Sequence, residues 1–264
     1  MQKNAYLKFK DTLQVIESIV DTSNCTVEIN SEKIPVKKLS IGSPIFGTVY
    51  GTLLNFKGEL KALNDRFNRP PYQKPPENPV LYIKPVNTIT GNLAPIPLPH
   101  DTDKIQVGAC LGIVFKKNAM RVTENNAKDY ILGYTIVNDV SIPHESYYRP
   151  AIKEKSRDGF CPSGPWIVDR DAIKDPDRLT IKVFINGELK QKNTTANLVR
   201  PISRLITDVT NFMTLYEGDT LLVGFPENPP YAFAGDHIRI EIENLGYLEN
   251  TVVHQDSWQK GALQ

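Results

Sequence analysis

What most limits the fold of this chain is a repeated pattern of short β-branched and aromatic runs, each closed by Gly, Pro, Asn or Asp. From Ile41 onward, FGTVYGTLLNF, VLYIKP, VGACLGIVF, DYILGYTIVNDV, RLTIKVFING, DTLLVGF and HIRIEIENLGYLENTVV succeed one another in this way. Side chains branched at Cβ are stiff and pack well on a pleated surface, so these runs read as strands that make up most of one sheet. Two stretches interrupt them with helical spacing. One is NFKGELKALNDRF; the other is RPISRLITDVTNFMTL, apolar at Ile202, Leu205, Ile206, Val209 and Phe212 or Met213. The fold class this predicts is mixed β (α+β), a sheet core with a few helices.

Turn chemistry sharpens the picture. Asn186-Gly187 supplies the two positive φ angles of a type I′ turn, and marks a hairpin. YEGDTLLVGFPENPP feeds an apolar strand into Gly224 and a proline cluster, the kind of strand end that borders either a loop or a cavity. Residues 68–79, NRPPYQKPPENP, carry too many prolines for strand or helix and read as a surface loop. Residues 1–40 differ from the rest. KDTLQVIESIVDT places Leu13, Ile16 and Ile19 or Val20 near one helical face, and CTVEINSEKIPVKKL alternates like a hairpin. The organisation expected is an N-terminal appendage over 1–40 and one main domain over 41–264.

Charge excludes several partners. With 31 Lys and Arg against 30 Asp and Glu among 264 residues, the net charge of +1 offers no field to hold nucleic acid or anionic lipid. No apolar run approaches the ~18 residues of a membrane span, and the N-terminus lacks an export pattern. The 3 cysteines, Cys25, Cys110 and Cys161, are odd in number and irregularly spaced, which suits reduced thiols in a cytoplasmic protein.

Chemistry-bearing residues gather in one stretch. RPAIKEKSRD runs directly into the Gly/Pro-rich turn and apolar strand GFCPSGPWIVDR. His144 stands beside Glu145 and close to Asp139, and is a candidate acid or base if it faces a pocket. His100 with Asp101 and Asp103 has the letters of an oxygen/nitrogen metal cluster, and equally those of a polar turn. Cys110, between Ala109 and Leu111, reads as a small core residue.

The stretches YIKPVNTITG, AKDYILGYTIVNDVS, YYRPAIKEKSRDGFCPSGPWIV, LTIKVFINGELKQKNTT and LYEGDTLLVGFPENPP, in this order over roughly 45–254, resemble the fumarylacetoacetate hydrolase family. NDVSIPHESYYRPAIKEKSRDGFCPSG looks most like the N-terminal half of its isomerase/decarboxylases of 4-hydroxyphenylacetate (homoprotocatechuate) catabolism. The resemblance implies a rolled β-sheet core. It implies a Mg²⁺ or Mn²⁺ site of three carboxylates, of which only Asp139 remains here, because Gly108 and Cys110 stand where the other two belong. No bound metal is therefore expected, since glycine offers no ligand and sulfur is soft. The family's His and Glu dyad is replaced by Glu59 and Ala62, and Phe225 stands where a Thr is usual. The substrate class implied is a 2-oxo or 2-hydroxy-diene di- or tricarboxylate. Lys155, Arg157 and Asp158 match the family's substrate-facing segment; Tyr147, Tyr148 and Arg149 would line the same mouth, and His144 or Glu145 would move a proton. On that reading Lys155→Ala abolishes ligand binding and leaves thermal stability nearly unchanged. The alternative is a catalytically silent, metal-free subunit. Either form is expected to be a homodimer or a heteromer with a metal-bearing homologue.

Overall fold

In the computed structural model, residues 1–12, 14–144 and 149–262 are described, the side chains of 64 and 259–262 excepted. The chain opens with strands β1 (Gln2–Lys8), β2 (Val15–Asp21), β3 (Thr26–Ile29) and β4 (Glu32–Pro35), then β5 (Val49–Leu53), helix α1 (Lys57–Phe67) and β6 (Val80–Lys84). Short strands β7 (Ile89–Thr90), β8 (Ile96–Leu98) and β9 (Ile105–Gln106) lead to β10 (Ala109–Phe115) and β11 (Ile131–Asn138). The single-turn helix α2 (Ile152–Lys155) precedes β12 (Cys161–Asp169), β13 (Thr180–Ile185) and β14 (Glu188–Thr194). Helix α3 (Ile202–Thr210), β15 (Thr220–Leu222), β16 (Tyr231–Ala232), β17 (His237–Ile242), β18 (Gly246–His254) and α4 (Gln255–Ala262) complete it.

Among the described residues the largest sheet runs β4-β3-β2-β1-β12-β11-β10-β15-β5-β6, with β7 beside β12; a second, of five strands, runs β14-β13-β17-β18-β8. The pairs are mostly antiparallel, with β15/β5, β12/β7 and β18/β8 parallel. This is the mixed, sheet-dominated fold that the strand-like runs predict. VGACLGIVF yields β10, every residue of which is buried because neighbours flank it on both edges and both faces are covered. The Asn186-Gly187 turn takes positive φ at both positions, 53° and 83°, between β13 and β14. Helix α3 buries Ile202, Leu205, Ile206 and Val209 as its spacing predicts.

One expectation fails. The stretch read as an amphipathic helix is strand β2, paired antiparallel with β1 from Gln2↔Asp21 to Lys8↔Val15. Val15, Ile16, Ile19 and Val20 are all β-branched, and a full-length partner strand outweighs the helical spacing of three apolar residues; Leu13, counted in that spacing, lies outside the described residues. Residues 1–40, read as an appendage, continue the main sheet through Ala5↔Val168 and Tyr6↔Ile167. Ala5, Leu7, Val20, Val27 and Val36 are buried there.

The same sheet builds the candidate site. Antiparallel pairing sets Ala109 opposite Asn138, so Gly108 and Asp139 leave the ends of β10 and β11 side by side. Strand β15 stops at the same end, where Gly224 at φ 95° turns the chain into Phe225. Although β5, β15 and β10 lie between β6 and β11 in the strand order, Tyr82 and Lys84 of β6 reach the Asp139 carboxylate. The sheet is rolled, and Asp139 lies inside the roll.

Candidate functional site

Asp139 is fully buried and surrounded by donors. Lys155 Nζ donates to its Oδ2 at 2.9 Å, and the Tyr82 hydroxyl donates to the same oxygen. Lys84 Nζ makes an ion pair with Oδ1 at 3.1 Å while donating to the carbonyls of Val140 (2.9 Å) and Lys155 (2.7 Å). That ion pair is not an aligned hydrogen bond, so Oδ1 has Coulombic rather than hydrogen-bonded support. Desolvation pushes the Asp139 carboxyl up, but Lys155 and Lys84 outweigh it and hold it at about 2. Burial works against the Lys84 ammonium and lowers its pKa, with Asp139 opposing. The Tyr82 hydroxyl is driven upward by desolvation and by the neighbouring carboxylate, so it stays a proton donor. The Lys155 ammonium also lies 4.5 Å from the Tyr82 ring centroid and 5.1 Å from that of Phe225, both favourable to a cation. Gly51, opposite Tyr82 on β5, is required here: a Cβ would fall 2.0 Å from Tyr82 Cζ.

These residues do not fit a divalent metal. A Cβ at Gly108 would come 2.5 Å from the Asp139 carbonyl oxygen and 3.0 Å from Phe225 Cδ1, so no carboxylate side chain can stand there without a shift of the backbone. Cys110 donates its thiol to the Gly224 carbonyl at 2.9 Å, and burial followed by the Asp139 charge drives its pKa well up. A protonated thiol is no ligand for a hard cation. Among the described residues no group of three or more His, Cys, Asp or Glu could hold a metal ion. The charge that would balance Asp139 comes instead from two lysines.

Lys155 forms part of the wall of a cavity of about 130 Å³ together with His144, Glu59, Phe225, Glu227 and Gln106. His144 Nδ1 lies 3.0 Å from the Ile142 carbonyl oxygen. Glu59, buried in the first turn of α1, accepts from the Leu54 amide at 3.0 Å and so braces the chain entering that helix. Of the residues singled out from sequence, the structure thus brings Asp139, Lys155, Gly108, Cys110 and His144 together.

It separates others. Arg157 donates to Asp101 Oδ2 at 2.7 Å and lines a different cavity, of about 360 Å³, with Trp258 and Ile152. Asp158 is exposed and accepts from Asn87 Nδ2 at 2.7 Å; Arg149 is exposed. The cause is local: α2 has one turn, which directs Lys155 inward, and the chain leaving it carries 157 and 158 to the surface. Glu145, Tyr147 and Tyr148 lie outside the described residues. His100 pairs with Asp256 at 3.1 Å while Asp101 faces Arg157, so these two residues of the apparent metal cluster point to different partners. Sequence reasoning missed Tyr82 and Lys84, although VLYIKP reads as a strand.

Residues 48–253 match the family described as Fumarylacetoacetate (FAA) hydrolase C-terminal, and the chain belongs to that family. It is 41% identical over 209 residues to the 4-hydroxyphenylacetate degradation bifunctional isomerase/decarboxylase of Escherichia coli, a match covering 79% of this chain and 48% of that protein. The chain spans about half the length of the curated relatives it matches at this level. The 5-carboxymethyl-2-hydroxymuconate delta-isomerase of Mycobacterium smegmatis superposes with a TM-score of 0.76 at 28% identity, over 96% of this chain and all (100%) of that one. Maleylpyruvate hydrolase of Sphingobium sp. SYK-6, solved with manganese(II) and pyruvate, superposes with a TM-score of 0.70 at 28% identity, covering 84% and 77% of the two chains. In this chain Lys155 and Lys84 face the Asp139 carboxylate.

Proposed function

We propose that this chain is an isomerase/decarboxylase-type subunit of 4-hydroxyphenylacetate (homoprotocatechuate) catabolism, acting on a 2-oxo or 2-hydroxy-diene di- or tricarboxylate by proton transfer beside a fixed ammonium. The observation that carries this reading is the Lys155 ammonium, anchored 2.9 Å from Asp139 and forming a wall of the cavity that His144 also lines. Moving a double bond along a dienol requires a proton to leave one carbon and arrive at another while the oxygen holds negative charge. A preorganised cation in a dry site stabilises that oxygen without reorganising. Asp139 and the Tyr82 and Phe225 rings keep Lys155 in place, and the His144 ring is set to carry the proton. The names of the isomerases and of the bifunctional enzyme among its relatives support the substrate class. The three buried, unpaired thiols suit a reducing compartment, and we place the protein in the cytoplasm. Among the described residues no helix is long and apolar enough to cross a membrane.

The test is ultraviolet-monitored isomerisation of 2-hydroxyhepta-2,4-dienedioate by the purified chain after chelation with EDTA. Turnover that survives EDTA and disappears in Lys155→Ala supports the reading; turnover that requires added Mg²⁺ or Mn²⁺ refutes it. A second reading, a silent subunit paired with a metal-bearing homologue, is favoured by the engagement of Asp139 by Lys155 and Lys84 and by the match to half of longer relatives. It gains if the chain alone gives no turnover yet is needed for turnover by such a partner.

A further inference from the structure

Resting on the isomerase reading, we infer that Lys84 is the positioning residue for Lys155: its buried ammonium fastens the C-terminal end of α2, and this attachment aims the Lys155 side chain at the cavity. A helix of one turn does not hold its own shape in water, because nucleation costs more than a single turn of hydrogen bonds returns. Helix α2 keeps two such bonds, from the Lys155 amide to the Ala151 carbonyl at 3.0 Å and from the Ser156 amide to the Ile152 carbonyl at 2.9 Å. Its direction is therefore set from outside. The last carbonyls of a helix have no partner within it, and here four in succession are met by other groups. The Lys153 carbonyl accepts from Arg157 Nε at 2.9 Å, that of Glu154 from the Ile142 amide at 3.0 Å, that of Lys155 from Lys84 Nζ at 2.7 Å, and that of Ser156 from Asn87 Nδ2 at 3.1 Å.

These four ties are not equal. The Arg157 and Asn87 bonds are exposed, and water can replace them; the Lys84 bond is buried and comes from a charged donor, which makes it stronger and costly to lose. The same ammonium donates to the Val140 carbonyl at 2.9 Å and stands 3.1 Å from Asp139 Oδ1. One group thus joins the end of α2, the chain leaving β11, and the carboxylate that receives Lys155. Ile142 extends the attachment, since its amide holds Glu154 while its carbonyl lies 3.0 Å from His144 Nδ1. Lys84 itself does not line the cavity with Lys155 and His144; it acts through the helix that carries Lys155.

The experiment compares the wild-type chain with Lys84→Met by amide hydrogen exchange at Lys155 and Ser156 and by turnover of 2-hydroxyhepta-2,4-dienedioate. Methionine keeps the length of the side chain, removes its donors, and leaves Asp139 and Lys155 as a balanced pair. The two amides are expected to exchange about 10- to 100-fold faster in the variant while those of β10 do not change. Turnover is expected to lose about 100-fold in kcat with KM changed by less than about threefold, the split of a residue that aims another. Where Lys84→Met gives no folded protein, Lys84→Gln, which retains N–H donors, takes its place in both measurements. Unchanged exchange and kcat overturn this inference and leave the isomerase reading standing. Exchange that quickens equally in β10 makes Lys84 a residue of overall stability and overturns it as well. No turnover by the wild-type chain refutes the isomerase reading and the catalytic consequence drawn from it, whereas exchange at Lys155 and Ser156 still decides whether Lys84 fastens α2.

Discussion

Two parts of the molecule use the same device in opposite settings. Asp139 sits between Lys84 and Lys155 at 3.1 and 2.9 Å; Asp101 sits between Lys153 and Arg157 at 3.2 and 2.7 Å. The geometry is nearly equal, but the side chains of the first trio are 0 to 2% exposed and those of the second 23 to 74%. In water, Coulomb attraction at such distances is small and screened; away from water it is large, and so is the cost of leaving any member unpaired. The surface trio can lose a partner to solvent. The buried trio cannot, and this is why Asp139 and its lysines define a site while Asp101 and its partners decorate an edge.

The sharpest way to break the comparison is to remove each aspartate. Asp139→Ala leaves two ammonium groups buried without a counter-charge, and urea unfolding is expected to show a loss of about 5 kcal/mol, or no folded protein. Lys155→Ala leaves the carboxylate with Lys84 and Tyr82, and the same measurement should show a loss of about 3 kcal/mol. This corrects the expectation from sequence that Lys155 can be removed at nearly constant stability, since that expectation took it for a pocket-mouth residue and it is buried. A third effect is pH dependence. The folded Asp139 carboxyl titrates at about 2, below its ordinary 3.8, so the unfolded chain takes up the proton first as pH falls. The stabilisation, roughly 2 kcal/mol, is fully present above about pH 4 and is lost as pH falls toward about 2; denaturant melts between pH 5 and 2 read it, and Asp139→Asn should flatten that limb. Smallest of all, Asp101→Ala should leave the urea midpoint indistinguishable from wild type. A large shift there would erase the contrast.

Strand-forming runs, the Asn186-Gly187 hairpin, α1 and α3 were legible because their signals are local: branched side chains, turn angles and a 3.6-residue spacing. Strand β2 was not, since its fate depends on a partner strand that the helical reading of residues 10–22 does not consult. The site was legible in outline, because Gly108, Cys110 and Asp139 stand out against a family pattern of three carboxylates. Lys84 and Tyr82 were hidden for a physical reason. In VLYIKP a lysine at a strand end ordinarily snorkels to solvent, and only the rolling of the sheet, which four intervening pairings produce, carries it to Asp139. Arg157 shows the converse error: two residues from Lys155 in sequence, it faces another cavity because a single-turn helix sends adjacent charges in different directions.

At the centre of this description is an internal ammonium, Lys155, held 2.9 Å from the buried Asp139 carboxylate. Calorimetric titration of Mn²⁺ into the metal-stripped chain, with and without 2-oxoadipate, tests it most directly. The result expected is no stoichiometric Mn²⁺ binding in either case, with 2-oxoadipate binding that is indifferent to EDTA and lost in Lys155→Ala. Stoichiometric Mn²⁺ binding that strengthens with 2-oxoadipate and is abolished by Asp139→Asn would contradict it.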